Sequence, residues 1–113
     1  VLVIDPEVAG ALALAVPQAD YIEILRTFET DLDRLAQDCV RAVEDGDLPA
    51  LRRAAHGLAG TAAGIGAHRL EAAARQAMEP NWPEAPTELA ARIREEASAV
   101  LSELSAMAQR RPR

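Results

Sequence analysis

The chain has 113 residues, half of them apolar, and a formal charge of −6 from 18 acidic and 12 basic side chains. That length supports one compact core, and the negative balance argues against a nucleic-acid binder, which needs a positive face for phosphate backbones. Cys39 is the only cysteine, which rules out an internal disulfide, and the longest apolar run, Val8 to Val16, is too short to span a bilayer.

Only Tyr21, Phe28 and Trp82 are aromatic, alanine and leucine dominate, and β-branched residues are scarce. This composition favours helices. A reducing, cytoplasmic compartment fits the cysteine usage, and no metal-ligand cluster accompanies Cys39. No positive charge opens the sequence as a signal peptide would. The start at Val1 rather than methionine is what a segment trimmed or excised from something longer would show. All the basic residues are arginines, a bias that reads as coding composition.

Asp5-Pro6 is a helix start, with Asp as N-cap and Pro at the first helical position. The short helix it opens should reach about Ala15, before Pro17, with Leu12, Leu14 and Val16 lidding one end of a bundle. Asp20 is then expected to cap a second helix, with Glu23 completing a capping box. Tyr21, Ile24, Leu25, Phe28, Leu32, Leu35, Cys39 and Val43 recur every three or four residues and define its buried face. Glu29, Asp31, Asp33, Arg34, Asp38 and Arg41 fall opposite; Glu29, Asp31 and Asp33 read as a solvated face or a docking rim. Gly46 in "EDGD" supplies the C-cap.

Asp47 and Pro49 open a third helix, whose core stripe is Leu48, Leu51, Ala55, Leu58, Ala62 and Ile65, ended by Gly64 and Gly66. A fourth runs from about Ala67 to Met78. The prolines of "EPNWPEAPT" exclude a continuous helix there. The last runs from Glu84 or Thr87 to Gln109 and buries Leu89, Ile93, Ala97, Val100, Leu101, Leu104 and Met107, leaving "RRPR" as a frayed tail. The expectation is an all-α fold: an antiparallel four-helix bundle, with a core over about 18–109, plus a short extra N-terminal helix. Residues 1–113 read as a single domain.

His56 follows a core position, so at roughly 100° per residue it sits on the flank of the stripe and faces outward. Its neighbours on the helix surface are Arg52, Ala59, Gly60 and Ala63. Gly60, one turn on, would weaken a helix by about 1 kcal/mol relative to alanine, and it leaves the imidazole open to a bulky partner. An approachable histidine, a flat surface of small residues and nearby arginines suit reversible phosphorylation on a ring nitrogen. The bland reading is a solvated or satisfied histidine, with the alanine- and glycine-rich stretch serving close helix packing.

The stretch "AHGLAGTAAGIGAHRLEAAARQAME" resembles the signature of histidine phosphotransfer (HPt) domains, the relay modules of bacterial multistep phosphorelays. His56, Leu58, Gly60, Gly66, Ala67, Leu70 and Glu79 match it. Upstream, "LRTFETDLDRLAQDCVRAVEDGDLPALRRAAH" is also similar, with Phe28 in the preceding helix and a Gly-Asp turn before the histidine helix; the likeness covers roughly 18–105. It implies a helical bundle, a phosphorylated His56, and response-regulator receiver domains or a hybrid histidine kinase as partners of a monomer. One position departs: the family's lysine three residues after the histidine is Ala59. Either Arg52 or Arg53 supplies the positive charge, or the module differs in kinetics or partner choice, or it is a degenerate scaffold that docks receivers without transfer.

The docking patch is expected at Ala55, Ala59, Gly60, Ala63 and Gly64. His68, at the start of the fourth helix, reads as a surface residue, since a charged histidine there would oppose the helix dipole. Arg69 and Arg75 read as surface charges. No phosphate loop with Lys-Ser or Lys-Thr is present, so ATP binding and self-phosphorylation are not expected. Nor are nucleic-acid or membrane binding, or a bound cofactor; Mg²⁺ is expected on the partner receiver only. An acid–base enzyme using His56 and His68 fares poorly, because a helix break separates them.

Overall fold

The computed structural model describes residues 3–110. Its helices are α1 (Pro6–Ala15), α2 (Gln18–Glu44), α3 (Leu48–Ile65), α4 (His68–Met78) and α5 (Pro86–Arg110). The two long helices, α2 with 27 residues and α5 with 25, are each about 40 Å long at ~1.5 Å per residue. That accounts for a molecule 46 Å long but only 23 × 18 Å across. Each of α2 to α5 packs on its neighbour in sequence, and α2 closes the ring against α5. This is the four-helix bundle expected from the punctuation, with α1 laid against α2 and α3. No described helix is long and apolar enough to cross a membrane.

The interior is aliphatic. Leu25, Leu32, Leu58, Ile65, Leu70, Ile93, Val100 and Leu104 are its largest fully buried side chains, together with Cys39. Truncating one such leucine to alanine costs about 2–5 kcal/mol through lost transfer energy and the cavity left behind. Ala36, Ala42, Ala54, Ala73 and Ala74 are buried among them; such small residues let helices approach closely but contribute little to an apolar periodicity.

Several local expectations are corrected. α2 begins at Gln18, directly after Pro17, and Asp20 makes no cap bond; it sits in the first turn, where its charge favours the dipole. Leu14 is 90 % exposed and lids nothing, whereas Leu12 and Val16 do pack against the core. Leu48, the first residue of α3, is also exposed. Leu101 is half-buried. Gly64 lies inside α3, and Gly66 alone ends it, with φ of 76°. Arg110 closes α5, and the remainder of the "RRPR" tail, 111–113, lies outside the described residues.

Candidate functional site

Both ends of α3 are fixed locally, and this sets the direction in which His56 points. At the start, the Asp47 carboxylate accepts from the Ala50 amide at 3.1 Å, with Pro49 in the first turn. At the end, left-handed Gly66 directs its amide to the Ala63 carbonyl, and Ala67 returns an amide to Ala62. Between these caps, Leu51, Ala54, Ala55, Leu58, Ala59, Ala62 and Ile65 are buried. His56 is exposed on the far side, with Arg52, Arg53, Gly60 and Gly64 exposed around it and Ala63 half-buried.

The glycines of α3 divide into two kinds. A Cβ at Gly57 would lie 3.1 Å from Leu35 Cδ2, and one at Gly64 would lie 3.5 Å from Phe28 Cε1. Both therefore turn toward α2. A Cβ at Gly60 would meet nothing within 4 Å, so the turn after His56 is open to solvent. Gly57 has a packing role that the sequence reading missed, since apolar periodicity carries no signal for an absent side chain.

The expected docking patch is corrected at two positions. Ala55 and Ala59 are 0 % and 2 % exposed, so neither can meet a partner. The heptad-like stripe had already placed Ala55 inside; Ala59 joins it because the α3 face buried against its neighbours is wider than that stripe. The surface around His56 thus consists of Gly60, Ala63 and Gly64, with Arg52 and Arg53 on the preceding turn.

Charge sets this face apart. α3 has no carboxylate, whereas every other helix carries at least one. Among the described residues the side chain of His56 makes no hydrogen bond or ion pair, and neither does that of Arg52 or Arg53. Of the other described arginines, all but Arg94 are ion-paired, for example Arg34 with Asp31 and Asp38, and Arg92 with Glu84. On the α2 side, Arg53 borders a shallow groove together with Asp38, Asp45 and Asp47.

The other sequence candidates are engaged elsewhere. His68 is exposed, as expected, but its Nε2 lies 3.2 Å from Asp5 Oδ2 and its Nδ1 3.8 Å from Glu71 Oε1. Those two carboxylates offset the unfavourable dipole at the start of α4. Asp5 is held below the usual carboxylate range, first by the Glu7 amide and then by the His68 bond, against a smaller opposing effect of burial. Arg69 pairs with Glu96 and Arg75 with Glu71, so both are surface charges. Burial pushes the Cys39 thiol up to about 12, helped by Asp38, which leaves it unreactive. No described group of side chains could hold a metal ion.

An exposed, unpartnered histidine on a four-helix bundle is the geometry expected of a phosphoryl carrier, and comparison with known proteins bears on it directly. Residues 23–109 match the family model of the Hpt domain. The chain belongs to the Hpt domain family. Hpt domains act in histidine phosphotransfer in phosphorelays, where they interact with response-regulator receiver domains and histidine kinases. The Hpt fold here is also similar to the crystal structure of histidine-containing phosphotransfer protein B (HptB) from Pseudomonas aeruginosa PAO1, with a TM-score of 0.75 and 25% identity over 96% of each chain. A search of curated proteins gave no match. The matched span of the Hpt family contains α3 and His56 and most of the bundle, and it starts after α1.

Proposed function

We propose that this Hpt domain is a cytoplasmic phosphorelay intermediate that accepts a phosphoryl group on His56 from a receiver-domain aspartate and passes it to a second receiver. The observation that carries the reading is the contrast in access: His56 is exposed and unpartnered beside an open Gly60, whereas His68 is held by carboxylates. The lone pair of an imidazole nitrogen forms the N–P bond while the aspartyl O–P bond breaks in line, its electron pair returning to the carboxylate. The other ring nitrogen keeps its proton, so no base is needed on this chain. Reversal onto a second aspartate restores the neutral imidazole.

The module contributes the nucleophile, a small flat surface at Gly60, Ala63 and Gly64, and positive charge from the turn before His56, supplied by either Arg52 or Arg53. Mg²⁺ and most of the charge stabilisation belong to the receiver. A transient partner of this kind calls for a modest interface. The chain itself has no phosphate loop for ATP and no autokinase role.

The test is incubation with a panel of phosphorylated receiver domains. Wild type and His68→Gln should take up an acid-labile, base-stable label, and His56→Gln should take up none. Label persisting in His56→Gln rules the proposal out. Receiver binding without any label identifies the docking-only scaffold, the reading that the missing lysine at Ala59 favours.

A further inference from the structure

Arg52 and Arg53 are both within a turn of His56, yet their surroundings differ. On an α-helix, Arg52 lies about 40° to one side of the His56 direction and Arg53 about 60° to the other. Ala59, where the family has its lysine, lies about 60° from His56 on the Arg52 side, so Arg52 and Ala59 share one column of the helix surface. Side chains on a helix lean toward its N-terminus, which carries the His56 imidazole over the turn that bears Arg52.

Competition for the two guanidinium groups differs as well. Arg53 borders a groove lined by Asp38, Asp45 and Asp47. Asp38 is paired with Arg34 and Arg41, and Asp47 caps α3, which leaves Asp45 as the carboxylate closest to competing for Arg53. Arg52 makes no ion pair among the described residues. On α4, Glu71 is already bonded by Arg75 at 2.8 Å and lies near His68; Glu79, at the end of α4, makes no ion pair with Arg52. Arg52 is therefore a free positive charge on the flank where position 59 has none.

We infer that Arg52, rather than Arg53, is the phosphoryl-holding residue of this Hpt domain and takes the place of the lysine missing at Ala59. The inference rests on His56 being the phosphorylated residue. Its guanidinium donates to the non-bridging phosphoryl oxygens, a planar fork well matched to them. It neutralises charge that builds up during in-line transfer and shields the N–P bond from water afterwards.

The experiment compares wild type, Arg52→Ala, Arg53→Ala, Arg52→Lys and the double variant Arg52→Ala/Ala59→Lys. Transfer rate from a phosphorylated receiver and the lifetime of the phosphohistidine are both read, with circular dichroism confirming the helices. Losing one charge-assisted hydrogen bond to the phosphoryl group should slow transfer by about 10-fold or more in Arg52→Ala and shorten the lifetime. Arg53→Ala should stay within about twofold of wild type, as a screened surface charge. Arg52→Lys should regain part of the rate.

A lysine at 59 can extend its stem along the buried flank and bring its ammonium to the surface, so the double variant should recover as well. If that variant does not fold, Arg52→Lys decides. Equal rates for Arg52→Ala and wild type overturn the inference, as does a larger loss in Arg53→Ala. So does a loss that no lysine recovers, because that marks a structural role. If wild type takes no label, the phosphotransfer reading fails and this inference fails with it.

Discussion

The two exposed histidines have opposite surroundings. His56 stands on a helix without carboxylates, beside arginines that have no partner, where the following turn carries no side chain. His68 lies between Asp5 and Glu71, at a corner where Gly66 lets α1 press against the end of α3. Residue type does not distinguish them. What does is whether the protein has already satisfied the ring and its surroundings: the first is left open to an incoming phosphoryl group, and the second fastens two segments together.

Filling the open face is the strongest way to test that contrast. Gly60→Leu should lower transfer from a receiver by about 10-fold or more, since the added side chain obstructs the approach of a partner and even a small misplacement of reacting groups costs that much. Gly60→Ala is the control. Its methyl group meets nothing, and replacing glycine by alanine in a helix gains up to about 1 kcal/mol, so it should melt later and transfer nearly normally. A Gly60→Leu variant that transfers at the wild-type rate would show that partners do not approach over this turn.

The corner should respond in the opposite sense, in stability rather than in transfer. Gly66 has φ of 76°, and a Cβ there would lie 2.9 Å from Val8 Cβ and 3.0 Å from Asp5 Cβ. Gly66→Ala should destabilise the fold by about 2–3 kcal/mol from backbone strain and the displacement of α1. Chemical denaturation measures the loss. Transfer by the molecules that remain folded should change little, because His56 lies well over two helical turns from the corner. An unchanged midpoint would mean that α1 gives way without cost.

These glycines also show what could be read from the sequence. The helices, their order and the outward direction of His56 follow from apolar spacing and from Asp, Pro and Gly at the helix ends. Spacing fails where the side chain is small. Ala59 is buried and Gly64 is helical, and in both cases the reading was wrong because alanine and glycine do not declare which face they occupy. Gly57 was overlooked for the same reason. The Asp5–His68 pair was out of reach for a different one: it joins residues 63 positions apart, and only the meeting of α1 with the α3–α4 turn brings them together. The same limit kept Arg52 and Arg53 equivalent in the sequence, since the carboxylates that separate them come from the end of α2 and the turn after it.

The smallest expected effect tests whether the two faces are independent. Asp5 accepts from the Glu7 amide at 2.9 Å and pairs with His68, and both hold its carboxyl below the ordinary range. A carboxylate held low in the folded state adds stability at pH values above its unfolded value and gives it up as pH falls through the folded one. Asp5→Asn keeps an acceptor for the helix cap but removes the charge. Wild type should therefore be slightly more stable than Asp5→Asn near neutral pH, and the gap should close as pH drops below about 4. Added salt should narrow it too, because the pair is largely exposed. Denaturation midpoints from pH 7 to pH 3 measure this, and parallel curves for the two proteins would remove the proposed charge effect. Receiver-dependent labelling of His56 should be the same in both. A slower rate in Asp5→Asn would mean that the corner and the open face are coupled through α3, and that the carboxylates around His68 act on phosphotransfer as well as on the attachment of α1.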